Sequence, residues 1–278
     1  MINHLEDHPS SLYIQDSIGF ELTGNGILDG QGHAWWYDFF NYVPHRDFRP
    51  YLFHMVRSKD VEIHNIHVRN SPCFHLNFYD MLNLHIHDLD IYVDFSSQQA
   101  MAEKRVWNWT GDFPANTDGI DLSGKNILVE NVIIEVGDDG IAIKPANSRN
   151  MYSNCSQDML IRNITTVYSL GMAVGSIGPD VSVNCIRNIT FENIYHTYGS
   201  YRGFYIKTSN VGTGSGIVDN ITVRNMTGYN NEAVFIYIGP MYQGPNANGS
   251  RCDGHWPTSL NATCDTQPLF LDAWCTMV

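Results

Sequence analysis

One phrase recurs along the chain, and it restricts the fold more than any other feature. An alternating apolar run closes on Asn or Asp, and a second apolar run follows. It reads VEIHNIHV at 61–68, LHIHDLDI at 84–91, ILVENVII at 127–134, LIRNITTV at 160–167, ITFENIYH at 189–196 and ITVRNMTG at 221–228. The anchors are Asn65, Asp88, Asn131, Asn163, Asn193 and Asn225, spaced by 23, 43, 32, 30 and 32 residues. A second phrase follows five of them by eight to ten residues: CFHLNF from Cys73, GIAIK from Gly140, GMAVG from Gly171, GFYIK from Gly203 and AVFIY from Ala233. After Asp88 its counterpart, GIDL from Gly119, is delayed by an insertion. Aligned this way, Gly119, Gly140, Gly171, Gly203 and Ala233 share one column.

Each repeat supplies short strands that cannot bury their apolar sides alone. Stacked at about 4.8 Å, they pair and enclose a continuous core. Asn at the bend accepts the left-handed backbone that a sharp corner needs. Asn on successive coils also forms a hydrogen-bonded ladder, which is the reading for Asn131, Asn163, Asn193 and Asn225. A β-sandwich gives turn signals every 8–12 residues but no whole phrase at this period. The expectation is therefore all-β: a right-handed parallel β-helix, one domain over 1–278 truncated at one or both ends, with 94–115 as a cleft-side insertion. Residues 20–36 read as an early coil with a tryptophan-bearing loop. The repeat fades from Met241 onward, without an obvious polar cap.

Composition narrows the function. The net charge of −13 argues against non-specific nucleic-acid binding, while a cleft can still carry local cations for an acidic polymer. No run of 18 apolar residues suggests a membrane span, and the opening MINHLEDHPSS has neither part of a signal peptide. Eight Asn-x-Ser/Thr sites, at Asn108, Asn154, Asn163, Asn188, Asn220, Asn225, Asn248 and Asn261, suggest a secreted protein. The ladder accounts for two of them, Asn163 and Asn225. Of six cysteines, Cys252 and Cys264 flank a polar loop and are the favoured pair; the rest of the connectivity stays open.

Two acidic phrases open successive apolar runs: Asn116-Thr117-Asp118-Gly119 and Gly137-Asp138-Asp139-Gly140. The glycine column stacks Asp118 on Asp139. Asp138 follows the position of Thr117 and joins them only if a turn interrupts the strand, which Gly137 and Gly140 permit. Three crowded carboxyls raise one another's pKa, as glycosidic hydrolysis requires of its acid.

These residues resemble the pectin-degrading polygalacturonases and rhamnogalacturonan hydrolases of glycoside hydrolase family 28. The resemblance rests on the two acidic phrases, on Gly171 with Gly175-Ser176-Ile177-Gly178, and on Ile206-Lys207, and runs from about Gly24 to Gly239. It implies hydrolysis with inversion of configuration, Asp138 as general acid, and Asp118 and Asp139 holding and activating water. Polygalacturonases carry Gly-His-Gly where this chain has Ser169-Leu170-Gly171, and Arg-Ile-Lys where it has Tyr205-Ile206-Lys207. GMAVGSIG with YIKTSN is closer to the rhamnogalacturonan branch, which in turn departs from the Gly-Asp-Asp kept here. The chain is a hybrid of the two.

The substrate-binding candidates are Lys207, Tyr205, Asn116, Arg202 and Lys144, with Trp107, Trp109 and Tyr201 as stacking platforms. No cofactor is implied. His85 and His87 stand at alternate positions of one strand, but spacing fixes no third ligand, so no metal is expected. The expected partner is a pectic polysaccharide, not nucleic acid or membrane, met by a secreted monomer. The competing readings are a lyase using Arg149 as base with calcium, and a sugar-binding relic.

Overall fold

The structure, a computed structural model, describes residues 9–42, 48–98, 113–177, 182–208, 216–229, 231 and 235–239. Trp107, Trp109, Gly178, Ala233, Cys252, Cys264, the sites at Asn108, Asn248 and Asn261, and the stretch from Met241 onward lie outside these residues. The fold is a right-handed parallel β-helix.

Three short strands, β1 (Ser10–Gln15), β2 (Glu21–Leu22) and β3 (Ile27–Asp29), begin it. They stack on β4 (Tyr51–Val56), β5 (Lys59–His64) and β6 (His67–Arg69). The long β7 (Leu76–Tyr92) and β8 (Ile120–Glu135) bend through the corners and serve all the faces. Then β9 (Asp139–Ile143), β11 (Gly171–Ile177), β13 (Phe204–Thr208) and β15 (Ile236–Gly239) continue one face. Strands β10 (Ser156–Ser169), β12 (Asn184–Ser200) and β14 (Gly216–Gly228) continue the others.

Every pairing between strands is parallel, so identical positions on successive coils form straight columns. Leu76, Ile120, Ile141, Met172, Phe204 and Ile236 make one inner column. Leu84, Ile127, Met159, Ile189 and Ile221 make another. Together they form one continuous apolar core. The alternation read from sequence is thus the inward and outward pleat of each strand.

The corners carry the asparagines, as expected. Asp88, Asn131, Asn163, Asn193 and Asn225 have φ between 50° and 56°. The Asn131, Asn163, Asn193 and Asn225 amides each donate to the residue one coil back. A second ladder went unread in the sequence. Asp60, Asn83, Asn126, Asp158, Asn188 and Asn220 also sit at positive φ, and the Asn amides bond down that column. It accounts for Asn188 and Asn220 as it does for Asn163 and Asn225.

Two expectations need correction. The tryptophan-bearing segment is not a loop: it enters a helix, α1 (His33–Tyr42), and Trp36 is buried with its indole donating to Ser71 O. The fifth member of the glycine column is Phe235 rather than Ala233, because Phe204 pairs with Ile236. The register there slips by two residues relative to the sequence alignment, since the first residue of an apolar run need not be the first residue of the strand. A disulfide joins Cys155 to Cys185, a pairing the sequence reading left open, and Cys73 is buried.

Close packing explains two of the column glycines. A Cβ on Gly119 would stand 2.5 Å from Gly140 O, and one on Gly171 would stand 2.5 Å from Arg202 O. Gly171 also has φ +112°, outside the range open to other residues without strain.

Candidate active site

The acid phrases sit where the β7–β8 connection returns to the face of β8 and β9. Gly119 N–H donates to Asp139 O, and Ile120 pairs with Ile141, so Asp118 stacks on Asp139 as the column argument required. A bend at Gly137 and Asp138 interrupts the chain before β9. It turns Asp138 onto the same side, and one oxygen of each of Asp118, Asp138 and Asp139 lies within 4.8 Å of the others.

Thr117 and Asn116 fasten the two phrases together. Thr117 Oγ1 donates to Pro114 O and accepts from Gly137 N–H at 2.9 Å. Asn116, at φ 56°, donates its backbone N–H to Asp138 Oδ2. Its side-chain oxygen accepts from Arg49 at 2.9 Å, so Asn116 is tied to Asp138 through its backbone and to Arg49 through its side chain. Arg49 is buried and also donates to Pro72 O and Ala115 O, tying the end of the 94–115 insertion to the acids. His75 is buried beneath Asp118. Ser71 N–H donates to its Nε2, which leaves Nδ1–H to donate to Asp118 O at 3.0 Å. Burial lowers the His75 pKa to about 4, so it serves as a neutral prop.

Lys144 directly follows β9, while Lys207 and Arg202 arrive from a later coil. Asn77, Asp121, Ala142, Ala173, Tyr205 and Tyr237 form one outward column. The small Ala142 and Ala173 leave room for the Tyr205 ring, which packs with them and Leu170. The Tyr205 hydroxyl thereby reaches Asp139 Oδ1, and Lys207 Nζ reaches Oδ2 at 2.6 Å. Tyr205 is fully buried, with its hydroxyl turned to Asp139. Lys144 Nζ lies 3.4 Å from Asp121 and 3.9 Å from Asp118. Arg202 lies against the rings of Tyr201, Tyr205 and Tyr237, with 5.2 Å between its guanidinium and the Tyr205 ring centre. Arg149 is exposed and folds back on Asn147 Oδ1.

Asp121 was missed by the sequence reading. Its pattern, alternating out of an apolar strand, is that of any surface acid. The packing around it makes it a fourth carboxyl of the site, buried like Asp118 and Asp139. Four carboxyls therefore face two ammonium groups, and the charge is not balanced unless protons are retained. Burial, reinforced by the Asp139 charge and opposed by Lys207, pushes Asp138 up to about 6. Burial also pushes Asp121 up to about 6, against the pull of Lys144. Asp118 rises well above the usual carboxylate range through burial and the charges of Asp138, Asp121 and Asp139. Asp139 goes the other way. Burial opposes its ionisation, but Lys207, Lys144 and the Tyr205 hydroxyl outweigh it and hold the carboxylate charged. The site thus separates proton-bearing acids from one fixed anion. Three converging oxygens could also ligate a cation. Lys207 and Lys144 already supply positive charge to those oxygens, so the set suits proton chemistry better than a metal.

A family profile described as "Glycosyl hydrolases family 28" matches residues 4–252. Rhamnogalacturonase B of Aspergillus niger is 28% identical over 231 residues, 81% of this chain and 34% of that protein. A polygalacturonase of Juniperus ashei is 28% identical over 219 residues, 77% of this chain and 37% of that one. The chain spans between 34% and 43% of the length of such curated relatives. Among solved structures, an endo-xylogalacturonan hydrolase from Aspergillus tubingensis superposes with a TM-score of 0.62 at 21% identity, covering 87% of this chain and 59% of that one. A polygalacturonase from Erwinia carotovora gives 0.59 at 21% identity, covering 88% and 66%. These two share the solenoid. With a profile match over most of its length, the chain belongs to glycosyl hydrolases family 28.

Proposed function

We propose that the protein hydrolyses glycosidic bonds in pectic polysaccharide, with polygalacturonase-type chemistry and inversion of configuration. One observation carries the reading: three carboxyls converge, with Asp139 held as an anion and Asp138 kept protonated up to about pH 6. Asp138 is the only one of the three that is not fully buried, so it alone can meet a leaving-group oxygen as general acid. Asp118 Oδ1 is buried and accepts no hydrogen bond among the described residues, so a water admitted beside it would supply the missing donor. Asp118 and Asp139 together hold that water, and Asp139, the acid held charged, takes its proton.

The carboxyls are closer than the roughly 6.5–9.5 Å common for inverting pairs. Retention would need one of them to attack carbon. Asp139 is committed through both oxygens to Tyr205 and Lys207, and Asp118 is buried among like charges that raise its pKa, which makes each a poor nucleophile. Water as the attacking group is the better-supported path. The cleft cations Lys144, Lys207 and Arg202 suit an anionic sugar.

A second reading, cleavage of the rhamnogalacturonan backbone, is favoured by the apolar cluster of Ala142, Leu170, Ala173 and Tyr205. It stands where the resemblance puts a histidine and an arginine. We read 1–278 as one domain with 94–115 at the cleft, working outside the cell as a monomer. The Cys155–Cys185 bridge suits an oxidising compartment.

Incubation with homogalacturonan and with rhamnogalacturonan, followed by product sizing, tests the substrate. Proton NMR of the first product tests inversion. Asp138→Asn should lose activity by about 10²-fold or more while keeping its fold. Product release undiminished in that variant would remove the assigned acid, and an unsaturated product would point to elimination.

A further inference from the structure

The outer wall of the solenoid carries a second cluster of titratable side chains, on the face built by β5, the middle of β7 and the middle of β8. Coil register assembles it. Glu62 pairs with His85 and His64 with His87 between β5 and β7. His87 pairs in turn with Glu130 on β8. The two histidines of the HIH phrase lie two residues apart, so they point to the same side of the strand. Glu62, His85 and His87 each bring one donor atom within 4.8 Å of the other two.

The ring nitrogens are sorted by their outer partners. His85 Nε2 meets Glu130 Oε1 at 3.0 Å, and Glu130 is itself clamped by Arg162. His87 Nδ1 meets Asp88 Oδ2 at 2.7 Å. In each ring the outer nitrogen faces a carboxylate, and His87 faces a second carboxylate, Glu62, through its inner nitrogen. The inner nitrogens, His85 Nδ1 and His87 Nε2, then face the same oxygen, Glu62 Oε1, at 3.9 and 3.0 Å. His64 stacks on His87 with ring centres 4.7 Å apart and limits its rotation.

We propose that Glu62, His85 and His87 form a binding site for a divalent transition-metal ion of the zinc type. Zinc takes imidazole nitrogen at about 2.0–2.1 Å and carboxylate oxygen at about 2.0–2.2 Å. A tetrahedral ion therefore holds its ligand atoms about 3.3 Å apart, and the two separations from Glu62 Oε1 bracket that value. Two imidazoles with one carboxylate suit zinc, cobalt or nickel better than calcium or magnesium, which prefer oxygen. The carboxylates on the outer nitrogens, Glu130 and Asp88, are the second layer that fixes ring orientation and ligand basicity at a histidine–metal site. Binding displaces the proton shared by His87 Nε2 and Glu62 to solvent. The bound ion joins two successive coils and leaves a position open to water. The HIH phrase alone could not reveal this, because its third ligand comes from 23 residues away through coil stacking.

The test is calorimetric titration of the full chain with zinc at neutral pH, together with cobalt titration followed by visible absorption. One ion per chain is expected, with the intense absorption of tetrahedral cobalt. The double variant Glu62→Gln/His87→Gln should bind at least about tenfold more weakly, and Glu130→Gln about tenfold more weakly. Circular dichroism and pectin hydrolysis should be unchanged in both, since these side chains line a surface away from the acids. Asp138→Asn should bind zinc as the wild type does. Absence of binding by the wild type, or unchanged affinity in the double variant, overturns the proposal. So does loss of binding in Asp138→Asn alone, which would put the ion at the acid cluster.

Discussion

Removing the Tyr205 hydroxyl isolates the interaction that keeps Asp139 ionised. Tyr205→Phe leaves the ring packed on Ala142, Leu170 and Ala173 and deletes the donor to Asp139 Oδ1. A hydrogen bond to a charged group contributes about 1.5–3 kcal/mol, or about 1–2 pKa units at 1.36 kcal/mol per unit. Lys207 stays on Oδ2 at 2.6 Å and damps the change, so the lower half of the range is expected. A carboxyl whose folded pKa is depressed stabilises the fold above its unfolded pKa, and that contribution is lost as pH falls through the folded value. The folded pKa of Asp139 lies below 3.8. Tyr205→Phe should therefore cost about 1.5 kcal/mol at neutral pH, with the gap closing below about pH 4 as the variant protonates first. Urea unfolding of both proteins across this pH range measures it. In the pH dependence of hydrolysis, the acidic limb should move up by about one unit. Equal stability at neutral pH and superimposable profiles would refute the role given to Tyr205.

Activity should fall as pH rises through about 6, where Asp138 loses its proton, and the alkaline limb of kcat/KM reads this directly. Asn163→Ala should destabilise the fold by about 1–2 kcal/mol, since alanine is strained at φ 55° and breaks two ladder bonds. Asn163→Gly should recover the backbone part of that loss, and thermal melts of the two variants separate the contributions. Reduction of Cys155–Cys185, which closes a span of 30 residues, should cost about 3–4 kcal/mol by chain entropy, seen as a lower unfolding midpoint in reductant.

Much of the molecule was legible in the chain because a solenoid turns local sequence into global structure. The strand period sets which residues face inward, and the recurring Asn anchors set the corners. Asp118 could be stacked on Asp139 without coordinates, since one coil separates them and register between neighbouring coils is nearly fixed. Asp138 could be turned onto the same side from the flanking glycines alone. Its role as general acid was what the resemblance to glycoside hydrolase family 28 implied.

What lay outside the sequence were properties of burial and of stacking over several coils. Asp121 looks like an ordinary strand-surface acid until the coils around it exclude water. Arg49 and His75 act on the acids through backbone carbonyls of residues 66 and 43 positions away, and no local pattern encodes such contacts. Tyr205 reads as a lost arginine; only the column of small alanines turns it into a donor to Asp139. The third ligand beside His85 and His87 likewise appears only when coils align. The sequence by itself determined the solenoid, its corners and the pairing of Asp118 with Asp139, because these depend on period and nearest-neighbour register. The tertiary structure alone decided which acid stays charged, because that depends on desolvation and on Lys207, supplied from two coils away.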